Sequence, residues 1–312
     1  MLRDPPPDSA RLLVEVAGLT KRFGEVVAVD DLSFTAPAGQ VTAVLGPNGA
    51  GKTTTFRVLL GLARPTAGRA LIDRRPYVEL DDPRRTVGAV LESSGFHPAR
   101  TGRDHLRVIA TGAGISGSRV DDVLALVGLA RAADRRVGGY STGMRQRLAV
   151  ASALLGDPRV LVLDEPTGGL DPEGVAWVRR LLRELAGEGR CVVLASHLLA
   201  EVVQTADRVV IIAKGRGLHE GDVASLDRAN ELAVRVDAPE SLANALSTRH
   251  GAEVRAQGDG RLVIRGATAE EVGRAASGVG ATVFELASRS AGESLEQLYL
   301  SLIREVQERE GR

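Results

Sequence analysis

Short apolar runs alternate with helical stripes along most of the chain. Aliphatic and β-branched runs predict strands, and apolar residues spaced three and four apart predict helices that pack on them. The predicted strands before residue 215 are 12–16, 26–34, 41–45, 160–163, 192–195 and 209–212. The runs that lack polar residues, such as 160–163, are typical of strands buried on both faces of a parallel sheet. Strands that alternate with helices predict an α/β core.

Two helical patterns stand between these strands. The longer one covers residues 102–155 and is punctuated by glycines at 112–117 and 138–139. The second begins at Asp171, which has the residue type of an N-cap and is followed by a first-turn proline. Gly187 is expected to end it.

The pattern changes after about residue 215. The predicted order there is β-α-β-β-α-β, which is the order of a ferredoxin-like α+β domain. Its predicted strands are 231–236, 253–256, 262–264 and 282–286, and its helices are 239–248 and 269–276. A last amphipathic helix carries Leu295, Leu298, Tyr299, Leu302, Ile303 and Val306. We find no catalytic constellation in this part and expect a structural or dimerising module.

Composition restricts the possible partners. The chain has 40 basic and 40 acidic residues, which argues against a nucleic-acid-binding protein, because such proteins need a basic excess. The single cysteine, Cys191, excludes internal disulfides and is expected in the core. The apolar runs are shorter than the ~20 residues that span a bilayer, and residues 1–10 lack the apolar core of a signal peptide.

Residues 46–53 match the phosphate-binding pattern G-x-x-x-x-G-K-[ST], between a predicted strand and a helical stripe. Gly49 and Gly51 allow backbone N–H groups to turn towards a phosphate at a helix N-terminus. Lys52 adds a positive charge near the β- and γ-phosphates, and the Thr53 hydroxyl can bind Mg²⁺. The candidate nucleotide-binding residues of the loop are Gly46, Pro47, Asn48, Gly49, Ala50, Gly51, Lys52, Thr53 and Thr54. The pattern indicates a nucleoside triphosphate.

Two acids directly follow the buried strand 160–163. Asp164 is placed to hold Mg²⁺ and Glu165 to polarise the attacking water, because ligands of α/β folds bind at the carboxyl ends of the strands. A solvated acidic turn is the alternative interpretation.

Ser141 is predicted to cap the helix that continues to residue 155, and Gly143 follows in its first turn. Such a helix start is a second anion site. A nucleotide has only one γ-phosphate. The phosphate loop and this second anion site can both contact it if two protomers meet head to tail, so that each covers the nucleotide of the other.

Together these motifs resemble the ATP-binding subunits of ABC transporters, over residues 12 to about 222. The family signature is L-S-G-G-Q. Residues 140–144 read Y-S-T-G-M and keep Ser141 and Gly143, the two positions that contact phosphate in the family. The resemblance implies a P-loop ATPase domain (12–222) with a helical subdomain (about 93–155). The sequence pattern adds a disordered start (1–11) and the C-terminal α+β domain (230–312).

The resemblance also implies the function. The chain is expected to hydrolyse ATP with Mg²⁺, to dimerise head to tail over two Mg-ATP, and to drive a separate membrane permease from the cytoplasmic face of the membrane. Residues 92–98 are similar to subunits of peptide-antibiotic and drug exporters, which favours export.

Four further residues take roles by resemblance. Phe23 would stack on adenine, Glu92 would replace the family's Mg²⁺-binding glutamine, Asp171 would lie in the D-loop at the dimer interface, and His197 would contact the γ-phosphate. Phe23 could instead fill a hairpin, and Asp171 could simply cap its helix.

The alternative function is a soluble ATPase of this type that acts on chromosomes or ribosomes. Chromosome-type members insert long coiled coils, for which the segment between Lys52 and Ser141 is too short, and ribosome-associated members carry two cores in one chain. A regulatory binding module is disfavoured because Glu165 and His197 are both present. The remaining histidines, His97, His105, His219 and His250, are expected to be solvated.

Overall fold

The computed structural model describes residues 12–91, 95–226, 231–288 and 291–310. The expected disorder of residues 1–11 and the role of Glu92 fall outside these ranges. The chain divides into two compact units, one ending at Asp222 and the other beginning at Val223.

The first unit alternates strands and helices as the sequence predicts. Its described strands are β1 (Leu12–Phe23), β2 (Val26–Pro37), β3 (Val41–Leu45), β4 (Ala67–Ile72), β5 (Val87–Val90), β6 (Val160–Asp164), β7 (Cys191–Ser196), β8 (Arg208–Ala213) and β9 (Arg216–Asp222). Its described helices are α1 (Lys52–Leu59), α2 (Pro83–Thr86), α3 (Gly102–Gly112), α4 (Ser118–Leu126), α5 (Thr142–Leu154), α6 (Pro172–Gly187) and α7 (Leu199–Thr205). Short 3-10 turns lie at Tyr77–Glu79, Ala130–Ala132 and Val137–Gly139.

The main sheet has the order β5-β6-β7-β3-β8-β9. Its strands run parallel except β9, which is antiparallel to β8. Every residue of β3, β6 and β7 is buried, as expected of apolar strands that are covered on both faces. In register, Leu45 of β3 lies beside Ser196 of β7, and Asp164 of β6 beside Ala195. The carboxyl ends of the three strands therefore share one edge of the sheet.

A second, antiparallel sheet has the order β2-β1-β4. Phe56 and Leu59 of α1 are fully buried in one apolar cluster with residues from both sheets, among them Val16 of β1 and Val44 of β3. This packing fixes the axis of α1, so that the start of the helix lies at the carboxyl edge of β3.

The second unit contains α8 (Val223–Leu226), β10 (Glu231–Val236), α9 (Pro239–His250), β11 (Glu253–Gly258), β12 (Arg261–Arg265), α10 (Ala269–Gly278), β13 (Val283–Ser288) and α11 (Ala291–Glu310). The strand order is β11-β12-β10-β13, and all its pairs are antiparallel. Alternate residues of β10, Leu232, Val234 and Val236, lie in one core with Leu242 and Val272, and this alternation fixes the register of the strand. The predicted ferredoxin-like order is confirmed.

The structure also departs from the sequence prediction. The hairpin strands β1 and β2 are 12 residues long, well beyond the predicted 12–16 and 26–34, because bulges break the alternation of apolar and polar positions on which the prediction relied. Strands β4, β5 and β9 and helix α7 were not predicted. Strands β4 and β5 have six and four residues, and β9 is mostly exposed. Helix α7 has only seven residues.

Two residue-level expectations are also settled. Cys191 is buried, as predicted. The expectation that His105 is solvated is wrong, because its ring lies edge-on to Phe96 at 5.0 Å between centroids and is only partly exposed. Among the described residues, no helix is long and apolar enough to cross a membrane.

Candidate nucleotide site

The loop between β3 and α1 has a conformation that requires glycine. Gly51, the N-cap of α1, has φ +103°, and a Cβ there would lie 2.6 Å from the Ala28 carbonyl oxygen. At Gly46 a Cβ would lie 2.3 Å from the Ile212 carbonyl oxygen. Both distances are far below van der Waals contact, so the neighbouring strands hold the loop closely and leave no room for a side chain at either position.

The loop opens into a cavity of about 420 Å³. Its lining consists of residues 48–54, Ala28, Asp164 and Glu165. The first N–H groups of α1 have no partner within the helix, and they give this end a partial positive charge. A helix start, a lysine and two hydroxyl side chains form a donor set that fits the phosphates of a nucleotide.

Lys52 is held inside the loop, with a side chain that is 6% exposed. Its Nζ donates to the carbonyl oxygens of Gly46 at 2.7 Å and Pro47 at 3.2 Å, and lies 3.6 Å from Oε1 of Glu165. The ammonium therefore stands between the loop and the first carboxylate beyond β6. This places a fixed positive charge at the cavity, as the sequence predicts.

Thr53 and Asp164 meet at the same edge. The Thr53 hydroxyl donates to Oδ2 of Asp164 at 2.7 Å, and Asp164 is buried. Oxygen ligands of this kind suit Mg²⁺. Among the described residues, no group of three or more His, Cys, Asp or Glu side chains is placed to hold a metal ion. The pair therefore fits an ion that takes its remaining ligands from phosphate and water, which is the usual arrangement for Mg²⁺.

Glu165 has a left-handed backbone, with φ +49°. For a residue with a long side chain this conformation costs on the order of 1 kcal/mol. Its N–H donates to the Ala195 carbonyl oxygen at 3.1 Å, and its carboxylate oxygens lie 2.8 and 2.9 Å from Nδ1 of His197. The strained turn after β6 thus aims the carboxylate at the cavity and at the residue that follows β7.

The two predicted helix caps are present. The Ser141 hydroxyl accepts from the N–H of Met144 at 3.2 Å, and the Asp171 carboxylate accepts from the N–H of Gly174 at 2.8 Å. Ser141 is exposed, and Gly143 lies in the first turn of α5. Capping is therefore a structural role that both residues perform, and any role across a dimer interface stays a prediction.

Phe23 is 53% exposed at the end of β1, so it does not fill the interior of a hairpin. Nζ of Lys21 lies 4.7 Å from the centroid of its ring. Stacking on adenine stays a prediction for this residue. Among the described residues, the cavity lining includes none of Phe23, Ser141, Gly143, Asp171 and His197.

Sequence reasoning missed the contacts of two side chains, one beside the Glu165–His197 pair and one before α5. Glu201 of α7 accepts from the Thr167 hydroxyl at 2.6 Å. Tyr140, which stands in the first signature position, is buried and donates to the Ala132 carbonyl oxygen at 2.6 Å. A glutamate one helical turn after His197 was a visible signal for the first, whereas nothing in the sequence indicates the acceptor of the second.

Comparison with known proteins agrees with this geometry. Residues 29–168 match the family model described as ABC transporter, and residues 230–296 match a domain of unknown function. An uncharacterized ABC transporter ATP-binding protein of Bacillus subtilis, YdbJ, is 35% identical over 297 residues, which cover 93% of this chain and 95% of the relative. The bacitracin transport ATP-binding protein BcrA of Bacillus licheniformis is 39% identical over 221 residues, with 70% and 72% coverage.

Solved structures are similar as well. A dimeric ATP-binding cassette in a post-hydrolysis state, bound to ADP and Pi, matches with a TM-score of 0.61 and 25% identity. The match covers 67% of this chain and 98% of that one. With the phosphate loop, the buried lysine and the Glu165–His197 pair in place, the chain belongs to the ATP-binding proteins of ABC transporters, a family of ATP-hydrolysing subunits.

Proposed function

We propose that this chain dimerises over two Mg-ATP and powers a separate membrane permease that exports a peptide antibiotic, drug or lipid. One observation carries the catalytic part of the proposal. The carboxylate of Glu165 lies within 2.9 Å of His197 and 3.6 Å of Lys52, at the mouth of the phosphate loop. These distances support a site in which Glu165 acts as base, His197 orients it and Lys52 binds phosphate.

In the proposed mechanism, the α1 amides and Lys52 bind the phosphates and neutralise part of their charge. Glu165 accepts the proton of the attacking water, and His197 orients the Glu165 carboxylate through Nδ1. Thr53, Asp164 and, from the sequence, Glu92 would hold Mg²⁺, which supplies further charge neutralisation when bound. Phosphoryl transfer depends mostly on such positioning and electrostatics.

The head-to-tail dimer is supported by the start of α5. Ser141 caps a helix of 13 residues at an exposed end, and such an end attracts anions. Because the cavity lining within the described chain does not include Ser141, a second copy would have to supply this residue to a nucleotide. The similar solved structure is itself described as dimeric. Phe23, Gly143 and Asp171 would complete the nucleotide contacts.

Export through a permease is supported by the relatives and by residues 92–98. One relative is named as a bacitracin transport protein, and the segment after Glu92 is similar to that of peptide-antibiotic exporters. In this proposal the translocation path belongs to the permease. The proposed location is the cytoplasmic face of the membrane, bound through that permease.

Sedimentation of the Glu165→Gln variant tests the dimer. We expect it to shift from monomer to dimer with ATP and Mg²⁺ and to remain monomeric with EDTA. Adding Ser141→Arg should prevent the shift, because the arginine blocks the exposed helix start. A Glu165→Gln protein that stays monomeric at saturating Mg-ATP would overturn the dimer.

Purification from the native membrane tests the permease. We expect an integral membrane protein to co-purify with the tagged chain, and ATP hydrolysis by that complex in vesicles to rise with a peptide antibiotic. The Lys52→Ala complex is the control, since it should bind the permease and show no stimulated hydrolysis. Recovery of ribosomes or DNA instead of a membrane protein would contradict export.

A further inference from the structure

Glu201 links the two segments that carry Glu165 and His197. Its Oε2 accepts from the Thr167 hydroxyl at 2.6 Å and lies 3.4 Å from the Ser196 hydroxyl. Thr167 stands two residues after Glu165, and Ser196 directly precedes His197. One carboxylate oxygen thus contacts both the turn after β6 and the end of β7.

The surrounding backbone makes this link stiff. The Ser196 hydroxyl accepts from the N–H of Leu198 at 3.0 Å, so hydrogen bonds hold the chain on both sides of His197. On the other segment, the N–H of Gly168 donates to the Glu165 carbonyl oxygen at 3.0 Å, which closes the turn around Thr167. A shift of Thr167 would therefore move Glu165 with it.

Glu201 is set apart from the chemistry itself. It lies in the first turn of α7, and neither it nor Thr167 is among the residues that line the nucleotide cavity. The Thr167 side chain and Glu201 are both only partly exposed. A hydroxyl that donates to a carboxylate in such a place forms a short, charge-assisted hydrogen bond.

The strained backbone of Glu165 requires surrounding contacts that hold it in place. A left-handed glutamate relaxes to an ordinary backbone unless its surroundings hold it. The contacts of Glu201 hold Thr167, two residues after Glu165, and Ser196, directly before His197. We propose that Glu201 is a positioning residue, which acts through Thr167 and Ser196 to keep the Glu165 carboxylate against His197. This inference rests on the proposed role of Glu165 as the base.

Paired substitutions at Thr167 test the inference. Thr167→Val keeps the shape and removes the hydroxyl donor, whereas Thr167→Ser keeps the donor. We expect Thr167→Val to lower kcat roughly ten- to a hundredfold, because small misplacements of catalytic groups have effects of that size. The KM for ATP should stay within about twofold of the parent, since phosphate binding does not use this link. Thr167→Ser should restore most of the turnover.

Substitutions at Glu201 provide an independent check. Glu201→Gln keeps an acceptor oxygen and should retain more turnover than Glu201→Ala. The double variant Thr167→Val with Glu201→Ala should be no slower than the slower single variant, because both remove the same hydrogen bond. Glu184→Gln, at an exposed glutamate of α6, is the matched control and should leave kcat unchanged.

The results separate a positioning role from a purely structural one. If Thr167→Val lowers the melting temperature but leaves kcat within about twofold of the parent, the inference is overturned. An equal loss of turnover in Thr167→Ser and Thr167→Val would also overturn it. The positioning role of Glu201 can fail while the role of Glu165 stands, because Glu165→Gln would then still be inactive. If instead Glu165→Gln remains fully active, the proposed role of Glu165 fails first.

Discussion

Oε2 of Glu165 and Nδ1 of His197 lie 2.8 Å apart, although 31 other residues separate them in the chain. Parallel pairing of β6 with β7 causes the contact, since each residue directly follows its strand at the same edge of the sheet. The imidazole holds the carboxylate in one orientation, at a distance where an N–H donor stabilises a negative charge.

Glu165→Gln should slow ATP hydrolysis by about two orders of magnitude or more, because the amide cannot take a proton from water. Affinity for a fluorescent ATP analogue should be unchanged, since the α1 amides and Lys52 remain. Steady-state hydrolysis and a binding titration measure the two effects. Glu188→Gln, at an exposed glutamate outside the cavity lining, is the control. Undiminished turnover would contradict the role of Glu165 as base.

Lys52→Ala should lose nucleotide affinity. The substitution removes the only lysine among the described residues that line the cavity, and it frees the Gly46 and Pro47 carbonyl oxygens that the ammonium now holds. The expected weakening is at least about tenfold, by analogy with the loss of a charged hydrogen bond. Titration with the same fluorescent analogue measures it. Lys214→Ala, which changes a lysine outside the cavity lining, should bind like the parent.

Tyr140→Phe should lower the free energy of unfolding by about 1 kcal/mol, because the buried Tyr140 loses its hydrogen bond to the partly buried Ala132 carbonyl oxygen, which keeps only the N–H of Arg135. Burial raises the pKa of the Tyr140 phenol, so the hydroxyl stays a donor at neutral pH. Urea unfolding measures the loss, and Tyr77→Phe serves as the control at a partly exposed tyrosine. An unchanged midpoint for Tyr140→Phe would show that this hydrogen bond contributes no stability.

Stability should decrease on mild acidification through His105. Burial, with a smaller contribution from the nearby Arg100 charge, lowers the pKa of His105 from its ordinary value of 6.5. The unfolded chain therefore takes up the proton first as the pH falls below about 6.5, and the folded state loses stability until its own lower pKa is reached. Urea midpoints at several pH values between 7.5 and 5 should fall less for His105→Gln than for the parent. His97→Gln, at an exposed histidine, should follow the parent.

Cys191 should be unreactive in the folded protein. Burial raises the pKa of its thiol to about 12, so the thiolate is scarce at neutral pH and no reagent reaches it. Ellman's reagent should detect no thiol in native buffer and one per chain in urea. Rapid stoichiometric labelling of the native protein would contradict the burial of β7.

The central strands and the phosphate loop could be predicted because local sequence determines them. The apolar residues of β3 and the glycines that follow it leave few other conformations. The strands β1 and β2 were predicted too short. The bulges of β1 depend on its pairing with β2 and β4, and the local alternation of apolar and polar residues does not reveal them. For the same reason no pattern could indicate the partner of Tyr140, which comes from a turn that tertiary packing positions.

In the candidate site too, local motifs could be predicted and contacts between distant segments could not. Lys52, Thr53 and Asp164 could be named as candidates because each lies in or beside a recognisable motif, and in the structure all three line one cavity. Glu201 was missed although it stands one helical turn after His197, because its hydrogen-bond partner Thr167 lies 34 positions away in the chain. The strain at Glu165 was also invisible, because a backbone dihedral of this kind reflects the surrounding fold.

At residue 165 the proposed chemistry and the stability of the fold favour different residues, because the backbone there is left-handed. Glycine or asparagine adopts a φ of +49° at lower cost, so folding alone favours either residue there. With Glu165 as the proposed base, selection for ATP hydrolysis would keep glutamate there. In a gene copy released from that selection, glycine or asparagine at residue 165 would relieve the backbone strain, and the phosphate loop would remain. Drift at residue 165 is therefore a short evolutionary route from a hydrolysing subunit to a nucleotide-binding regulator.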